Sequence, residues 1–251
     1  MIANLTMYAR PELETAHVQF WASIHDSLAQ RGVEAPLKLT QNVWGFEVWE
    51  DPTLVLSQTC GMPYRTCLHG HVQIIGTPDY GLEGCPAGYY NSAIIVRADD
   101  ARASLSEFAS ARLTYNASHS QSGFAALYNH TKPLDILFSD RVVSGGHLAS
   151  AKMVAQRQAD IASIDAQTWR LISRYEPIAA QLRVLEYTTP TPGLPYITGL
   201  QHDPNVIYDA VSEAISMLPA PDATALDLHG LVQIGPAKYL AVPNPPASAA
   251  L

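Results

Sequence analysis

Asn116-Ala-Ser-His-Ser-Gln-Ser-Gly-Phe124 stands between a short apolar run, Ala111-Arg-Leu-Thr-Tyr115, and an apolar stretch from Phe124 to Tyr128 that reads as a helix. A strand, a polar turn and a helix in that order predict an anion site. The first-turn N–H groups of a helix have no intrahelical acceptor, and the helix dipole favours negative charge at that end. Ser118, Ser120 and Ser122 add hydroxyls, and Gly123 lets the backbone come close to whatever sits there. The same residues admit a plainer role, in which Ser120 or Ser122 only caps the helix.

Outward from this turn the pattern repeats. Leu54-Val-Leu56 followed by Ser57-Gln-Thr-Cys-Gly-Met-Pro-Tyr64 is a second strand running into a polar turn and a short helix. Two such turns suit a ligand held at the carboxyl ends of parallel strands, across a cleft between two lobes. Upstream, Ile2 to Tyr8 reads as a buried strand. Pro11 opens a helix to about Arg31, with Ala16, Phe20, Ile24 and Leu28 at helical spacing, and Gly32 ends it. A strand at Leu37-Lys-Leu39 would complete a βαβ unit. Trp44 to Trp49 reads as a loop or irregular strand whose tryptophans wall a pocket or simply pack.

Tyr89 to Val96 reads as one long strand and the first crossing between lobes. Thr188-Thr-Pro-Thr-Pro-Gly-Leu-Pro195 is too proline-rich for a helix and suits a stiff return crossing. Between them come a helix at Ser104 to Phe108, the Leu113 strand, the polar turn, and Val142-Val-Ser-Gly-Gly-His147. A helix over Leu148 to Gln158, the strand Asp160 to Asp165, a helix over Ala166 to Arg174 and the strand Leu182 to Tyr187 follow. Helices at Pro204 to Leu218 and Ala220 to Leu226 return to the first lobe. The expected division is residues 1–91 with 189–251 as one lobe and 92–188 as the inserted one, with a flexible tail from Pro243.

The chain has 251 residues, 47% hydrophobic and 15% charged, enough for a large core in one domain or two lobes. A net charge of −8 and a pI near 5.5 argue against a nucleic-acid partner, which requires a basic face. An anion must then be held by hydrogen bonds and helix ends rather than by a general positive field. No apolar run is long enough to span a bilayer, and the first residues show no export-signal pattern. Either the protein stays in the cytoplasm or a leader has been removed. Cys60, Cys67 and Cys85 have no Cys-x-x-Cys spacing, so no metal site is indicated, although Cys60 and Cys85 could pair in an oxidising compartment. The sequons at Asn4, Asn116 and Asn129 read as chance, since Asn4 falls in a predicted core strand.

From about residue 85 to 195 the chain resembles the PhnD-like phosphate, phosphite and phosphonate receptors of ABC transporters, which have the type II periplasmic-binding-protein fold. Gly88-Tyr-Tyr-Asn-Ser-Ala-Ile-Ile-Val96 is similar to the family's Gly-Tyr-x-Ser-aliphatic strand. Leu105, Phe108 and Ala111-Arg-Leu match the segment that follows. Ser120-Gln-Ser-Gly-Phe124 resembles its Ser-Thr-Ser-Gly-aromatic turn, and Gly146-His147 with Ala159-Asp-Ile-Ala162 its Gly-x-His and aliphatic-Asp-aliphatic-Ala run.

The resemblance implies an α/β fold of two lobes, each a mainly parallel sheet flanked by helices. It also implies a small oxyanion gripped by Ser120, Gln121 through its backbone N–H, Ser122 and His147, with Tyr90 at the crossing and Tyr8 from the other lobe. A permease partner, a periplasmic location and no cofactor go with it. Gln121 departs from the family's threonine. Gln167 and Leu194 stand at the positions nearest to the carboxylates with which aminoalkylphosphonate binders hold an ammonium group, and neither is acidic. Asp165 is a candidate acceptor for a protonated phosphoryl oxygen, with a helix N-cap as its plainer role. Cytosolic enzymes of this fold, in menaquinone and thiamine-pyrimidine synthesis, are the alternative class. A ligand-sensing domain is a third.

Overall fold

The computed structural model describes residues 1–246. In chain order its strands are β1 (Ile2–Asn4), β2 (Leu54–Gln58), β3 (Val72–Asp79), β4 (Tyr89–Tyr90), β5 (Ser92–Arg97) and β6 (Leu113–Tyr115). They continue with β7 (Arg141–Val143), β8 (Ile161–Asp165), β9 (Leu182–Tyr187), β10 (Thr191–Pro192), β11 (Tyr196–Gly199) and β12 (Gly230–Val232). The chain divides into two units, Met1–Tyr89 with Pro192–Ala241, and Tyr90–Thr191 with the chain from Val242. The short strands β4 and β10 lie where the chain passes from one unit to the other.

The first unit holds a sheet in the order β1-β2-β11-β3-β12. β1 and β2 are parallel, and β11 runs antiparallel to both β2 and β3, so the sheet is mixed. The ends of β1, β2 and β3 therefore share one edge with the starts of β11 and β12. The helix Glu14–Gln30 buries Ala16, Phe20, Ile24 and Leu28, the stripe its spacing predicts, and Gly32 leaves it at φ 73°. Ser27 and Arg31 reach Glu213 of the helix Pro204–Ser216, at 2.5 and 2.8 Å.

Two expectations for this unit are corrected. Leu37-Lys-Leu39 forms no strand. The Asn4 carboxamide donates to Thr40 O and Val43 O at 3.0 and 2.9 Å, and Thr40 N donates to Ala3 O at 2.7 Å. The segment is thus pinned as a loop beside β1, and the parallel neighbour of β1 is β2. Trp44 to Trp49 is neither loop nor strand throughout: Gly45, at φ 68°, turns into the short helix Phe46–Trp49. Trp49 is buried and donates to Gln58 O at 3.0 Å, while Trp44 is exposed.

The second unit holds the sheet β7-β6-β8-β5-β9, in which only β5 runs against its neighbours. Both faces are covered, and the period-two alternation of β5 divides its side chains between them. Ile94 and Val96 pack with Phe108, Phe124 and Leu127; Ala93 and Ile95 pack with Ala151, Val154 and Trp169. The expected single strand from Tyr89 to Val96 is interrupted at Asn91, whose carbonyl accepts Ala166 N at 3.1 Å. Pro243 O accepts from Asn129 Nδ2 at 2.9 Å and Pro245 is buried. Of the tail expected from Pro243, residues 247–251 lie outside the described residues. No disulfide joins the three cysteines.

Where β5 ends and β8 begins, Asp100 gathers Arg102 at 2.6 and 2.9 Å and Arg97 at 3.1 Å, and Arg102 also reaches Asp160 at 3.1 Å. The Arg102 hydrogen bonds are the main reason the Asp100 carboxyl is held down at about 2. A carboxyl lowered on folding stabilises the protein above its unfolded value, and that stability is lost as pH falls through the folded value. Asp100→Asn should therefore cost about 1–2 kcal/mol at neutral pH, and the deficit should shrink as the pH approaches about 2. Urea unfolding of both proteins across this acid range checks it.

Candidate functional site

The carboxyl ends of β6, β7, β8 and β9 and the start of β5 share one edge of the second sheet. There the quoted stretch leaves β6. Ser120 sits at the N-cap and its Oγ accepts Gly123 N at 3.0 Å, so the capping role weighed for it is real. Its hydroxyl proton stays available for a further acceptor. The helix opens with a wide turn, Ala125 N bonding to Ser120 O at 3.0 Å, and continues as Ala126–Thr131. Such i→i+5 turns recur at functional sites. Gln121 and Ser122, as the first two residues of the helix, present N–H groups that no earlier helical carbonyl can take. Ser118 is exposed, away from the buried run Ser120 to Ser122.

Gly123 makes room for what packs on it. A Cβ there would lie 1.9 Å from Asn116 Oδ1 and 3.3 Å from His147 Cε1. The closeness read from the sequence as room for a ligand is used first by a carboxamide and an imidazole of the chain itself. His147 arrives by a different route. Ser144 N and Gly145 N donate to Tyr115 O and Asn116 O at 2.8 and 3.1 Å, stitching the turn after β7 onto the end of β6. Gly145 takes φ 85°, and His147 then begins the helix His147–Ala155.

That geometry places His147 Nε2 3.0 Å from Ser122 Oγ. Burial pushes the imidazole down to about 4, so at neutral pH it is uncharged and offers one donor and one acceptor. The ring is half-buried as a whole, but its Nδ1 is shielded from solvent and has no hydrogen-bond partner. Ser163 Oγ, in the middle of β8, donates to Ser122 O at 2.7 Å and fixes the turn to the sheet.

Asp165 ends β8, is buried, and accepts Thr168 N at 2.9 Å as the N-cap of the helix Ala166–Tyr175. Both readings of this residue are therefore open to one side chain, and the cap is the contact in place. Tyr90 is buried at the crossing. The edge thus brings together Ser120, Gln121, Ser122 and His147, with Asp165 at the end of the neighbouring strand.

Sequence reasoning missed Asn91 and Asn116. Their Oδ1 atoms, both Gln121 side-chain polar atoms and His147 Nδ1 are buried with no hydrogen-bond partner. Each such group costs about 1–3 kcal/mol when left unsatisfied, so five in one unit is a pattern that calls for an explanation. Asn116 opens the quoted stretch and Asn91 stands in the Gly88-to-Val96 run, so both lay within recognised motifs.

Tyr8 belongs to the first unit. It is buried and meets Tyr80 edge-on, with ring centroids 4.9 Å apart. Gln58 Nε2 donates to Leu194 O at 3.1 Å and lies 3.4 Å from Tyr80 Oη. Burial, then Tyr80, hold the Tyr196 phenol well above its usual range. Thr59, at the end of β2, has a buried Oγ1 with no partner. Its signal was the second polar turn, Ser57 to Tyr64.

Two α/β units with mixed sheets, joined by two crossings and each with a polar strand-to-helix turn, define a solute-binding protein of the type II periplasmic fold. The family model for the ABC transporter phosphonate periplasmic substrate-binding protein matches residues 57–239, and the chain belongs to that family. Solved structures agree on the fold. PhnD1 from Prochlorococcus marinus in complex with methylphosphonate is 12% identical, with a TM-score of 0.71 over 95% of this chain and 94% of that one. XAC2383 from Xanthomonas citri bound to chloride ion is 13% identical, with a TM-score of 0.70 over 95% and 92%. A binding-protein component of an ABC phosphonate transporter from Pseudomonas aeruginosa is 16% identical, with a TM-score of 0.68 over 95% and 83%. No curated protein matches the chain.

The His147 environment generates a prediction. Its folded value lies below its ordinary one, so the unfolded chain binds more protons between about 6.5 and 4, and stability falls as the pH drops through that window. His147→Asn should lose less stability than the parent between neutral pH and about 4, by up to ~3 kcal/mol. His17 and His202 are shifted in the same direction and leave a residual slope. Urea unfolding as a function of pH reads the difference.

Proposed function

We propose that this chain binds a small phosphonate or phosphate-type oxyanion at the Ser120–Gly123 turn and presents it to an ABC-type permease. The observation that carries the reading is the group of buried, unpartnered polar atoms at this edge, above all Gln121 Nε2 and His147 Nδ1 beside the Ser120-capped helix. A ligand oxygen is the partner such donors lack. In this reading the N–H groups of Gln121 and Ser122 and the hydroxyl of Ser120 hold the anion, while the Ser122 hydroxyl donates to His147 Nε2 and so fixes the tautomer that carries its proton on Nδ1. His147 donates from its neutral ring, and Tyr90 closes one side. Asp165 orders the turn after β8 by accepting Thr168 N.

Family membership favours uptake over catalysis. Ser122 and His147 form a hydrogen-bonded pair, but His147 Nδ1 has no orienting carboxylate, so the arrangement lacks the third member of a hydrolytic triad. No metal-binding group of His, Cys, Asp or Glu occurs among the described residues, and no helix among them is long and apolar enough to cross a membrane. The family is periplasmic, and we assign this chain the same location, with the permease as its membrane partner.

The test is calorimetric titration with methylphosphonate and inorganic phosphate. Ser122→Ala should weaken binding by roughly 1–3 kcal/mol, the loss expected for one hydrogen bond to a charged group, here the one from His147 Nδ1 whose tautomer Ser122 fixes, with the fold intact. Binding of both ligands unchanged in Ser122→Ala places the site elsewhere.

A further inference from the structure

Gln121 is 1% exposed, and neither end of its carboxamide has a partner. A fully ionised oxyanion presents acceptors only, so it satisfies Nε2 and leaves Oε1 buried against negative charge. A carboxamide offers a donor and an acceptor side by side, the pattern that pairs bidentately with a group offering an acceptor and a donor side by side. A protonated phosphonyl group, P(=O)–OH, is such a group. The unpartnered Asn91 Oδ1 and Asn116 Oδ1 at the same sheet edge add acceptors that an all-acceptor ligand cannot satisfy.

We propose that Gln121, through its side chain rather than its backbone alone, makes the site selective for the singly protonated form of a phosphonate or phosphate monoester. Nε2 donates to the phosphonyl oxygen while the ligand's P–OH donates to Oε1. No bond is made or broken in this recognition, and the proton stays on the ligand. Sulfate, which carries no proton near neutral pH, leaves Oε1 unpaired and is rejected by that cost. The inference rests on the oxyanion-binding reading above.

The ionisable side chains around this edge are Tyr90 at the crossing, Tyr115 at the end of β6, His119 in the turn, His147, Asp165, and Glu186 and Tyr187 at the end of β9, with His130 bonded to Glu186 at 2.6 Å. His147 is already neutral well below pH 7, so its titration does not imitate that of the ligand.

The experiment titrates methylphosphonate and sulfate into the parent, Gln121→Thr and Gln121→Glu from slightly acidic to alkaline pH. Thermal melts confirm that each variant is folded. The parent should bind methylphosphonate and lose about tenfold in affinity per pH unit above the ligand's second ionisation, with sulfate at least about tenfold weaker. Gln121→Thr, a donor with a single oxygen, should still bind but lose most of that slope and bind sulfate within a few-fold of methylphosphonate. Gln121→Glu, shaped like glutamine, should bind weakly at neutral pH and recover as the pH falls. A pH slope and sulfate discrimination in Gln121→Thr equal to those of the parent overturn the inference while the oxyanion reading stands. A folded parent that binds neither anion overturns both.

Discussion

The second unit depends on how the chain leaves β6. Ser120 closes the turn by accepting Gly123 N, and Gly123 lets Asn116 and His147 pack against the helix start. Ser163 holds the turn to β8 through the Ser122 carbonyl. Any side chain larger than hydrogen at position 123 would displace the Asn116 carboxamide, so the placement of Asn116 and the backbone of the turn are coupled. The group contains no lysine or arginine. In a protein of net charge −8, recognition of an anion at the proposed site falls to oriented N–H groups, hydroxyls and a neutral imidazole. Such dipoles gain strength from burial, and the same burial makes them costly when left unpaired.

The two ends of the second sheet are treated oppositely. Where β5 ends and β8 begins, Asp100, Arg97, Arg102 and Asp160 pair with one another, with Arg97 Nε left buried and without a hydrogen bond, and the apolar faces of β5 are closed by helices on both sides. At the other end polar atoms are buried and unsatisfied. A sheet secured at one end can carry unfavourable burial at the other without moving the strands, and under the proposed function that cost, concentrated near the Ser120 turn, keeps the edge ready for ligand.

The fold was legible where local signals agreed. Proline at the start and glycine at the end of the Glu14–Gln30 helix, the spacing of Ala16, Phe20, Ile24 and Leu28, and the Ala220–Leu226 helix are local information. The Leu37 segment and Asn91 were misread because the deciding partners are distant in sequence. Asn4 pins the loop at Thr40 and Val43, and Ala166 takes the carbonyl that would have continued the strand. The turn and His147 were recognised through their likeness to a family motif. The use of Gly123 by Asn116, the depressed His147 and the unpaired Gln121 carboxamide are packing facts that no spacing encodes.

The central claim is that the Ser120 turn and His147 form one oxyanion site whose buried donors are satisfied only by ligand. Heteronuclear NMR of the labelled protein during titration with methylphosphonate tests it directly. The account predicts saturable shifts of the Gln121 and Ser122 backbone amides together with the His147 Nδ1 resonance, all at the same ligand concentration. Methylphosphonate that binds while these three signals stay in place would contradict it.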